Sequence, residues 1–319
     1  MPIYIYGENN PDLAKFKVSG DATIWRYMDI GKYLDVITRG QIWFSRAIIF
    51  RGTDPYEGSL TEHDRKTMVD VLSVKTKEEL QSVLPAFSTI ISHASTKSLY
   101  WFQALFLTKL RLLDINLYGN SISCWHENPS ESDAMWALYA QRDAGIAIKS
   151  TVNRVLNAFG SSARTICIAK VNYDSAGGLS VLTSGSCDSL LIKRHAFHHE
   201  NEVRIIASTF DGYEDSQWTE EKQTYLLDIT KPVPAGVYID CDIQSLVEEV
   251  VISPLTPAYS ARALESISKR LAPNIVIRKS TLLTRDEDIF QQLFSRELFR
   301  IWDHHLRTNL LLDIDEIPS

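Results

Sequence analysis

The sequence lacks the features that define several large classes of protein. Its four cysteines are widely separated and form no Cys-x-x-Cys pair, which argues against a disulfide framework or a cysteine zinc site. No apolar run reaches the ~20 residues needed to cross a bilayer. The first residues carry no basic start followed by an apolar segment, the pattern of a signal peptide. We therefore expect a cytoplasmic protein that makes no membrane contact.

Positive charge and glycine-rich phosphate loops are also missing. The formal net charge of -7 argues against nucleic-acid binding over a broad surface, although it leaves room for a local basic groove. Neither Gly-x-x-x-x-Gly-Lys nor Gly-x-Gly-x-x-Gly occurs, so the usual phosphate-binding loops are not indicated. With 45% hydrophobic and 23% charged residues, the composition is that of an ordinary globular protein.

The hydrophobic periodicity predicts an α+β fold with a mixed or antiparallel central sheet. Residues 1–285 read as one α+β domain with a helical insert at about 60–115, and residues 286–319 read as a helical tail. Strands are expected near 23–28, 41–44, 121–125, 145–149, 164–173, 236–240, 248–253 and 274–279, and helices near 30–39, 62–114, 131–141, 151–159, 186–197, 257–271 and 286–305.

The most informative motif is Glu200-Asn201-Glu202, at the start of an apolar run that reads as a strand. Alternation along a strand would place Glu200 and Glu202 on one face. Two neighbouring acids are costly unless they do acid/base work, hold a cation or stabilise a developing positive charge. The alternative is a solvated strand end whose acids pair with Lys193, Arg194 or Arg204.

Several motifs together resemble a bacterial family, the domain of unknown function 2971. They span about residues 23–280 and are Trp25-Arg26-Tyr27, Trp43-Phe44-Ser45-Arg46, Asp54-Pro55-Tyr56-Glu57-Gly58, Ser123-Cys124-Trp125, Glu131 to Trp136 with Tyr139, and Glu200 to Arg204. The chain departs from the usual pattern at Arg51-Gly52-Thr53, where an Asn commonly precedes the Asp-Pro step, and in its long tail. The family name implies no reaction.

A more distant likeness, to a second group of proteins, implies a reaction. The order of three motifs along the chain is similar to that in ADP-ribosyltransferases of the arginine, serine, glutamate type. These motifs are Arg26, then Ser121-Ile122-Ser123, then Glu200-Asn201-Glu202. The resemblance implies that fold and NAD as the substrate. It also implies that Glu202 and Glu200 are catalytic, with Ser121 or Ser123 orienting the ribose or the catalytic acid.

Cleavage of the bond between nicotinamide and ribose creates a cationic sugar, so such a site needs fixed charges of both signs. Arg26 would hold the pyrophosphate, since a guanidinium is planar and always charged. Aromatic side chains would stack on nicotinamide or adenine, and the candidates are Trp25, Tyr27, Trp43, Phe44, Trp125 and Tyr139.

Each assignment has a structural alternative. Arg26 can pair with Asp29 or Glu57, and the serines can be ordinary strand residues. Trp125 and Tyr139 can belong to the core. Asp54 and Glu57 read as turn formers. A metal site from His195, His198 and His199 with the two glutamates is a further reading, which the motif does not favour because it is not His-Glu-x-x-His.

The sequence therefore predicts an NAD-dependent ADP-ribosyltransferase or NAD glycohydrolase, acting as a toxin or antiphage defence effector. Its acceptor would be a protein or a nucleic acid, and a neutralising partner is an open question. One alternative is a non-catalytic module that senses a nucleotide or a phage protein. A second is a metal-dependent hydrolase or nuclease.

Overall fold

The computed structural model describes residues 3–93, 97–140, 143–173, 187–209, 218–219, 224–225, 234–284 and 300–306. Within these ranges the strands are β1 (Ile3–Ile5), β2 (Thr23–Asp29), β3 (Gln41–Arg46), β4 (Asn120–Glu127), β5 (Gly145–Thr151), β6 (Ile166–Lys170), β7 (Glu202–Ser208), β8 (Trp218–Thr219), β9 (Thr224–Tyr225), β10 (Gly236–Asp240), β11 (Glu249–Ile252) and β12 (Val276–Lys279). The helices are α1 (Ile30–Arg39), α2 (Glu62–Ser73), α3 (Lys77–Val83), α4 (Ser88–His93), α5 (Lys97–Gly119), α6 (Asp133–Tyr139), α7 (Val152–Ala158), α8 (Ile243–Leu246) and α9 (Ala258–Leu271).

One large mixed sheet organises the fold. Its strands follow the order β1-β6-β7-β4-β2-β5-β11-β12, while β3 pairs with β4 and β10 pairs with β3. The β1/β6 and β11/β12 pairs are parallel, and the other pairs in this sheet are antiparallel. The predicted α+β class with a mixed central sheet is confirmed.

The sheet forks at β4. One edge of β4 pairs with β7 along residues 120–126. The other edge pairs first with β3, at Ser121 and Ile122, and then with β2, at His126 and Glu127. The strands β2 and β3 therefore part beside residues 123–125, and this opening is where the candidate site lies.

Local sequence signals explain the elements that flank the fork. The Asp29 side chain accepts a hydrogen bond from the Lys32 amide at 2.8 Å and caps α1, and Gly40 ends the helix with φ 68°. In the insert, Thr61 and Asp64 form a capping box at the start of α2. Helix α5 brings Leu117 to the apolar cluster on one face of the sheet, which contains Ile122 and Ile206. The insert therefore meets the sheet near the end of α5, whereas Leu110, expected on the sheet, packs within the insert against Met68 and Val71.

Two predicted segments differ from the structure. The helix expected over 186–197 is replaced, within its described part, by short 3-10 helices at Asp188–Leu190 and His195–Glu200. The tail helix expected over 286–305 lies largely outside the described residues, although residues 300–306 are helical. No helix in the described part of the chain is both long and apolar enough to span a membrane.

Candidate functional site

A cavity of about 560 Å³ lies at the fork of the sheet, within the size range of small-molecule sites. Its walls come from β2, the loop after β3, helix α6 and the segment before β7. The lining side chains include Trp25, Arg26, Tyr27, Thr53, Asp54, Glu57, His126, Leu138, Tyr139, Lys193, Phe197, Glu200 and Glu202.

The chain turns sharply between the two predicted catalytic acids. Glu200 ends a 3-10 helix, Asn201 adopts a left-handed conformation with φ 37°, and the strand begins only at Glu202. Asn is among the residues that tolerate this conformation best. The prediction that both acids alternate along one strand is therefore wrong, but the turn still brings both carboxylates to the same cavity.

Lys193 joins the two acids. Its ammonium group donates to the carboxylate of Glu200 and lies 3.3 Å from Glu202 Oε2. The Tyr139 hydroxyl donates to the other oxygen of Glu200 at 2.8 Å. The imidazole Nδ1 of His126 lies 2.5 Å from the Glu200 carbonyl oxygen and fixes the backbone at this point. Glu200 is thus held by groups from three different segments.

Arg204 lies behind Glu202 and links it to the loop after β3. Since the two residues are separated by one position in β7, their side chains share a face. Arg204 Nε donates to Glu202 Oε1 at 3.0 Å and Nη2 donates to Glu202 Oε2 at 3.1 Å. On its other side, Nη1 and Nη2 donate to the Glu57 carboxylate at 2.5 and 3.1 Å, and Nη1 also donates to the Leu190 carbonyl at 2.6 Å. All five N–H donors of Arg204 are satisfied.

This network keeps Glu202 ionised. Burial alone would raise the pKa of the Glu202 carboxyl, but the charges of Arg204 and Lys193 outweigh it and lower that pKa to about 2. The same contacts raise the pKa of Arg204 well above its usual value despite its burial. Three carboxylates, Glu57, Glu200 and Glu202, face two cations, so the cluster carries one formal negative charge in excess.

Arg26 also lines the cavity, and its described partners are neutral. Its guanidinium donates to Ser123 Oγ at 2.7 Å and to the Trp43 carbonyl at 3.0 Å, and it lies 5.9 Å from the Trp125 ring centroid. It therefore bridges β2, β3 and β4 where the sheet forks. Burial lowers the pKa of Arg26 to about 10, and no described carboxylate lies within ion-pair distance. The alternative that Arg26 pairs with Asp29 or Glu57 is wrong, because those acids bond Lys32 and Arg204.

The two candidate serines lie on the other face of β4 from the acid pair. In the β4/β7 register, His126 is opposite Glu202, whereas Ser123 is opposite Ile205 and Ser121 is opposite Ala207. Side chains of cross-strand neighbours share a face. The expectation that Ser121 or Ser123 orients Glu202 is therefore wrong. Ser123 holds Arg26, and the Ser121 hydroxyl is hydrogen-bonded to Thr209 Oγ1 at 3.0 Å.

The predicted aromatic residues divide into lining and core. Trp25, Tyr27 and Tyr139 line the cavity. Phe44 is fully buried and packs edge-on against Phe159, so its expected ligand contact is wrong. Trp125 is also buried in the core, and it reaches the site only through Arg26. Trp43 contributes its carbonyl oxygen, while its ring packs against Tyr238.

The loop after β3 contributes acids that the sequence reading took for turn formers. Asp54 and Glu57 are each 2% exposed, and each forms an ion pair with a residue near the acid motif. Asp54 bonds Arg194 at 2.7 Å, and Glu57 bonds Arg204. The position of Arg204, two residues after Glu202 in a predicted strand, indicated in the sequence that the two side chains would meet. No local pattern indicated that Glu57 would join them.

Within the described residues, the histidines that precede Glu200-Asn201-Glu202 do not assemble a metal site. No group of three or more His, Cys, Asp or Glu side chains there has the arrangement of metal ligands. His195 and His198 stack on each other at 5.3 Å, and both are exposed. The carboxylates that a metal would need are bonded to Lys193 and Arg204.

The cavity thus combines a guanidinium without an acidic partner, a carboxylate cluster with excess negative charge, and two tyrosines. These groups suit a ligand that carries an anionic part and a part that is, or becomes, cationic. In comparisons with protein-family models, curated proteins and solved structures, nothing matched this chain.

Proposed function

We propose that the cavity binds NAD and that the protein cleaves the bond between nicotinamide and ribose, as an ADP-ribosyltransferase or NAD glycohydrolase. The observation that carries the proposal is that one cavity is lined both by Arg26, whose described partners are neutral, and by the ionised Glu202. In a bacterial cytoplasm this reaction would deplete NAD or modify a target, which is the action of a toxin or antiphage defence effector.

Arg26 supplies the group for the pyrophosphate. A partly buried cation without an acidic partner is costly, and an anionic ligand would compensate it. The planar guanidinium suits a phosphate oxygen pair, and its contacts with Ser123 and Trp43 fix its orientation. Tyr27, on the same strand, offers a ring to the nicotinamide or adenine.

Glu202 supplies the negative charge for the reacting sugar. As the C1′–N bond breaks, the electron pair leaves with neutral nicotinamide and the ribose becomes an oxocarbenium-like cation. A carboxylate whose pKa is about 2 is anionic throughout the physiological range, so it can stabilise this cation without first losing a proton. The excess negative charge of the surrounding cluster acts in the same direction.

Glu200 acts in the second half of the proposed reaction, when a nucleophile adds to the sugar. Its carboxylate is less deeply enclosed than that of Glu202 and is oriented by Tyr139 and Lys193. The nucleophile, water or an acceptor group, adds to C1′ and releases a proton, which a nearby carboxylate accepts. Water gives the glycohydrolase and an acceptor gives the transferase.

A second candidate function is nucleotide binding without cleavage. It is favoured by one observation, namely that both carboxylate oxygens of Glu202 are bonded to Arg204 or Lys193. These cations reduce the field that the carboxylate presents to a substrate. In this case the protein is a sensor, and the acid cluster only shapes the cavity.

The test combines a binding and a turnover measurement on the wild type and two matched variants. ADP binding is measured by calorimetry, and free nicotinamide and label transfer are measured with labelled NAD and cell lysate. Glu202→Gln removes the charge in the cavity. Glu131→Gln is the control, because Glu131 is also largely buried and bonded to an arginine, Arg278, but does not line the cavity.

We expect Glu202→Gln to bind ADP like the wild type and to release no nicotinamide, while Glu131→Gln behaves as the wild type in both assays. Equal release by Glu202→Gln would overturn the catalytic role. Nucleotide binding by a wild type that releases no nicotinamide with any lysate would establish the sensor. A wild type that does neither would exclude both functions.

A further inference from the structure

A row of alternating cations and aromatic rings leads from helix α2 to the mouth of the cavity. Arg65 lies 5.7 Å from the Tyr56 ring centroid, and Arg194 lies 4.9 Å from the same ring. Arg194 lies 5.3 Å from the Phe197 centroid, and the ammonium of Lys193 lies 4.7 Å from it. We call these five residues, Arg65, Tyr56, Arg194, Phe197 and Lys193, the cation–aromatic ladder.

The ladder runs along a second cavity that adjoins the first. This cavity has a volume of about 370 Å³ and is lined by Tyr56, Arg65 and Arg194, among others. Asp54 and Lys193 line both cavities. A ligand lying along the ladder therefore ends beside Glu200 and Glu202, where the proposed reaction would occur.

The Tyr56 ring is not packed into the fold, whereas Arg194 also holds the buried Asp54. Tyr56 is 52% exposed, and the Arg194 side chain is 46% exposed. The loop that carries Tyr56 is already anchored by the buried acids Asp54 and Glu57. The exposed half of the Tyr56 ring thus remains available for stacking beside the two guanidinium groups.

One cation in the wall of the second cavity, Arg65, has no described acid as a partner, although the chain as a whole is acidic. The wall of the second cavity carries Arg65, Lys193 and Arg194 against Asp54 and Glu62. Lys193 and Arg194 are bonded to acids, whereas Arg65 donates to the Leu60 carbonyl and has no described carboxylate within ion-pair distance. Arg65 is accordingly the group that would meet a phosphate.

We infer that the cation–aromatic ladder binds single-stranded nucleic acid and presents it to the carboxylate end of the cavity as the acceptor. Rings that alternate with guanidinium groups provide stacking for bases and charge for phosphates, which is how proteins hold single strands. An acidic peptide would use the charges but leave the rings unused, and a duplex would hide its base faces. The acceptor role rests on the proposed function, whereas the binding itself does not.

The test is a binding titration without NAD. A fluorescently labelled single strand of about twelve mixed-sequence nucleotides, as RNA and as DNA, is titrated with the full chain, and its anisotropy is followed at several salt concentrations. Tyr56→Ala should weaken binding about tenfold through lost stacking. Arg65→Gln should reduce the slope of log affinity against log salt by about one. Thermal unfolding of each variant checks that it is folded.

Matched controls come from helix α9. Tyr259 is 70% exposed and Arg262 is also exposed, and neither lines either cavity. We expect Tyr259→Ala and Arg262→Gln to bind like the wild type. Equal weakening by the α9 variants would overturn the inference, as would a wild type that binds no single strand. Tighter binding of a labelled polyglutamate peptide would likewise overturn it, because the ladder would then bind an acidic protein. Tighter binding of duplex would also overturn it, because the contact would then be with the phosphate backbone alone.

Failure of strand binding can be distinguished from failure of the proposed NAD cleavage. Strand binding is read without NAD, so a protein that releases no nicotinamide can still bind the strand through the ladder. Conversely, hydrolysis of NAD by water needs no acceptor, so it persists in Tyr56→Ala even if strand binding fails.

Discussion

Two arginines, on the strands β2 and β7 that pair with β4, have contrasting surroundings. Arg204 is 1% exposed and is bonded to two carboxylates, and the pKa of its guanidinium is raised well above its usual value. Arg26 is bonded to a hydroxyl and a carbonyl oxygen, and burial lowers its pKa to about 10. Both lie on neighbouring parts of one sheet, so the difference comes from their partners.

The comparison separates a charge that is held by carboxylates from one whose described partners are neutral. Arg204 compensates Glu57 and Glu202 and has no N–H donor left for another group. Arg26 retains its full charge with no acid beside it. Removing Arg204 should therefore damage the fold, while removing Arg26 should damage ligand binding.

The largest effect is expected for Arg204→Met. Because two buried carboxylates lose their cation, the free energy of unfolding should fall by about 3–5 kcal/mol. The control is Arg278→Met, since Arg278 also bonds two carboxylates but is 39% exposed. Solvent weakens that pair, and its loss should cost about 1 kcal/mol or less. Urea unfolding compares them, and equal losses would show that burial is not what distinguishes Arg204.

Acid should weaken the ion pair between Glu202 and Arg204. The pKa of Glu202 is about 2 in the folded protein and 4.5 in its ordinary state, so its contribution is fully present above pH 4.5 and is lost as the pH falls toward 2. That contribution is roughly 3 kcal/mol at neutral pH. Urea unfolding of the wild type and Glu202→Gln should show a stability gap that narrows below pH 4.5. A gap that stays constant down to pH 3 would contradict the assignment.

The reverse outcome is expected for Arg26→Gln. Loss of a charged hydrogen-bond donor should weaken ADP binding about 10- to 100-fold, while the free energy of unfolding changes by less than about 2 kcal/mol. Calorimetry with ADP and urea unfolding measure the two quantities. Arg39→Gln, an exposed arginine in α1 that pairs with Asp35, should leave binding unchanged. If Arg26→Gln binds ADP normally, the cation is structural and the contrast with Arg204 disappears.

Local signals in the sequence were sufficient for much of the fold. Helix α1 spans Ile30–Arg39 and ends at Gly40 as expected, and the alternation of apolar residues in β2 and β4 placed those strands correctly. The fork depends instead on which residues of β4 pair with β2 and which with β3. That choice is made by long-range register, for which a single sequence carries no local signal.

The candidate site was predicted in part for the same reason. Tyr27 and Tyr139 reach the cavity with Arg26 and the two acids, whereas Phe44 lies in the core. The left-handed turn at Asn201 has no pattern that separates it from a continuing strand. The partnership of Glu57 with Arg204 joins residues 147 positions apart, so it follows only from the fold.

The smallest effect is expected for Tyr139→Phe, which tests whether Glu200, unlike Arg26, must be oriented by a neighbouring hydroxyl for the reaction to proceed. The ring is 48% exposed and its hydroxyl makes one hydrogen bond, to Glu200, so stability should change by about 1 kcal/mol or less. Burial and the charge of Glu200 raise the pKa of Tyr139, which keeps the hydroxyl a donor at neutral and mildly alkaline pH.

Label transfer to an acceptor should therefore fall a few-fold in Tyr139→Phe, with the same loss at every pH between about 6 and 9. Release of nicotinamide in the absence of acceptor should change less, because Glu202 and not Glu200 stabilises the cation. Tyr259→Phe, which removes an exposed hydroxyl on α9, is the control and should match the wild type. Equal loss of both activities in Tyr139→Phe would mean that Glu200 and Glu202 act as one unit joined by Lys193, and the division of roles between them would have to be abandoned.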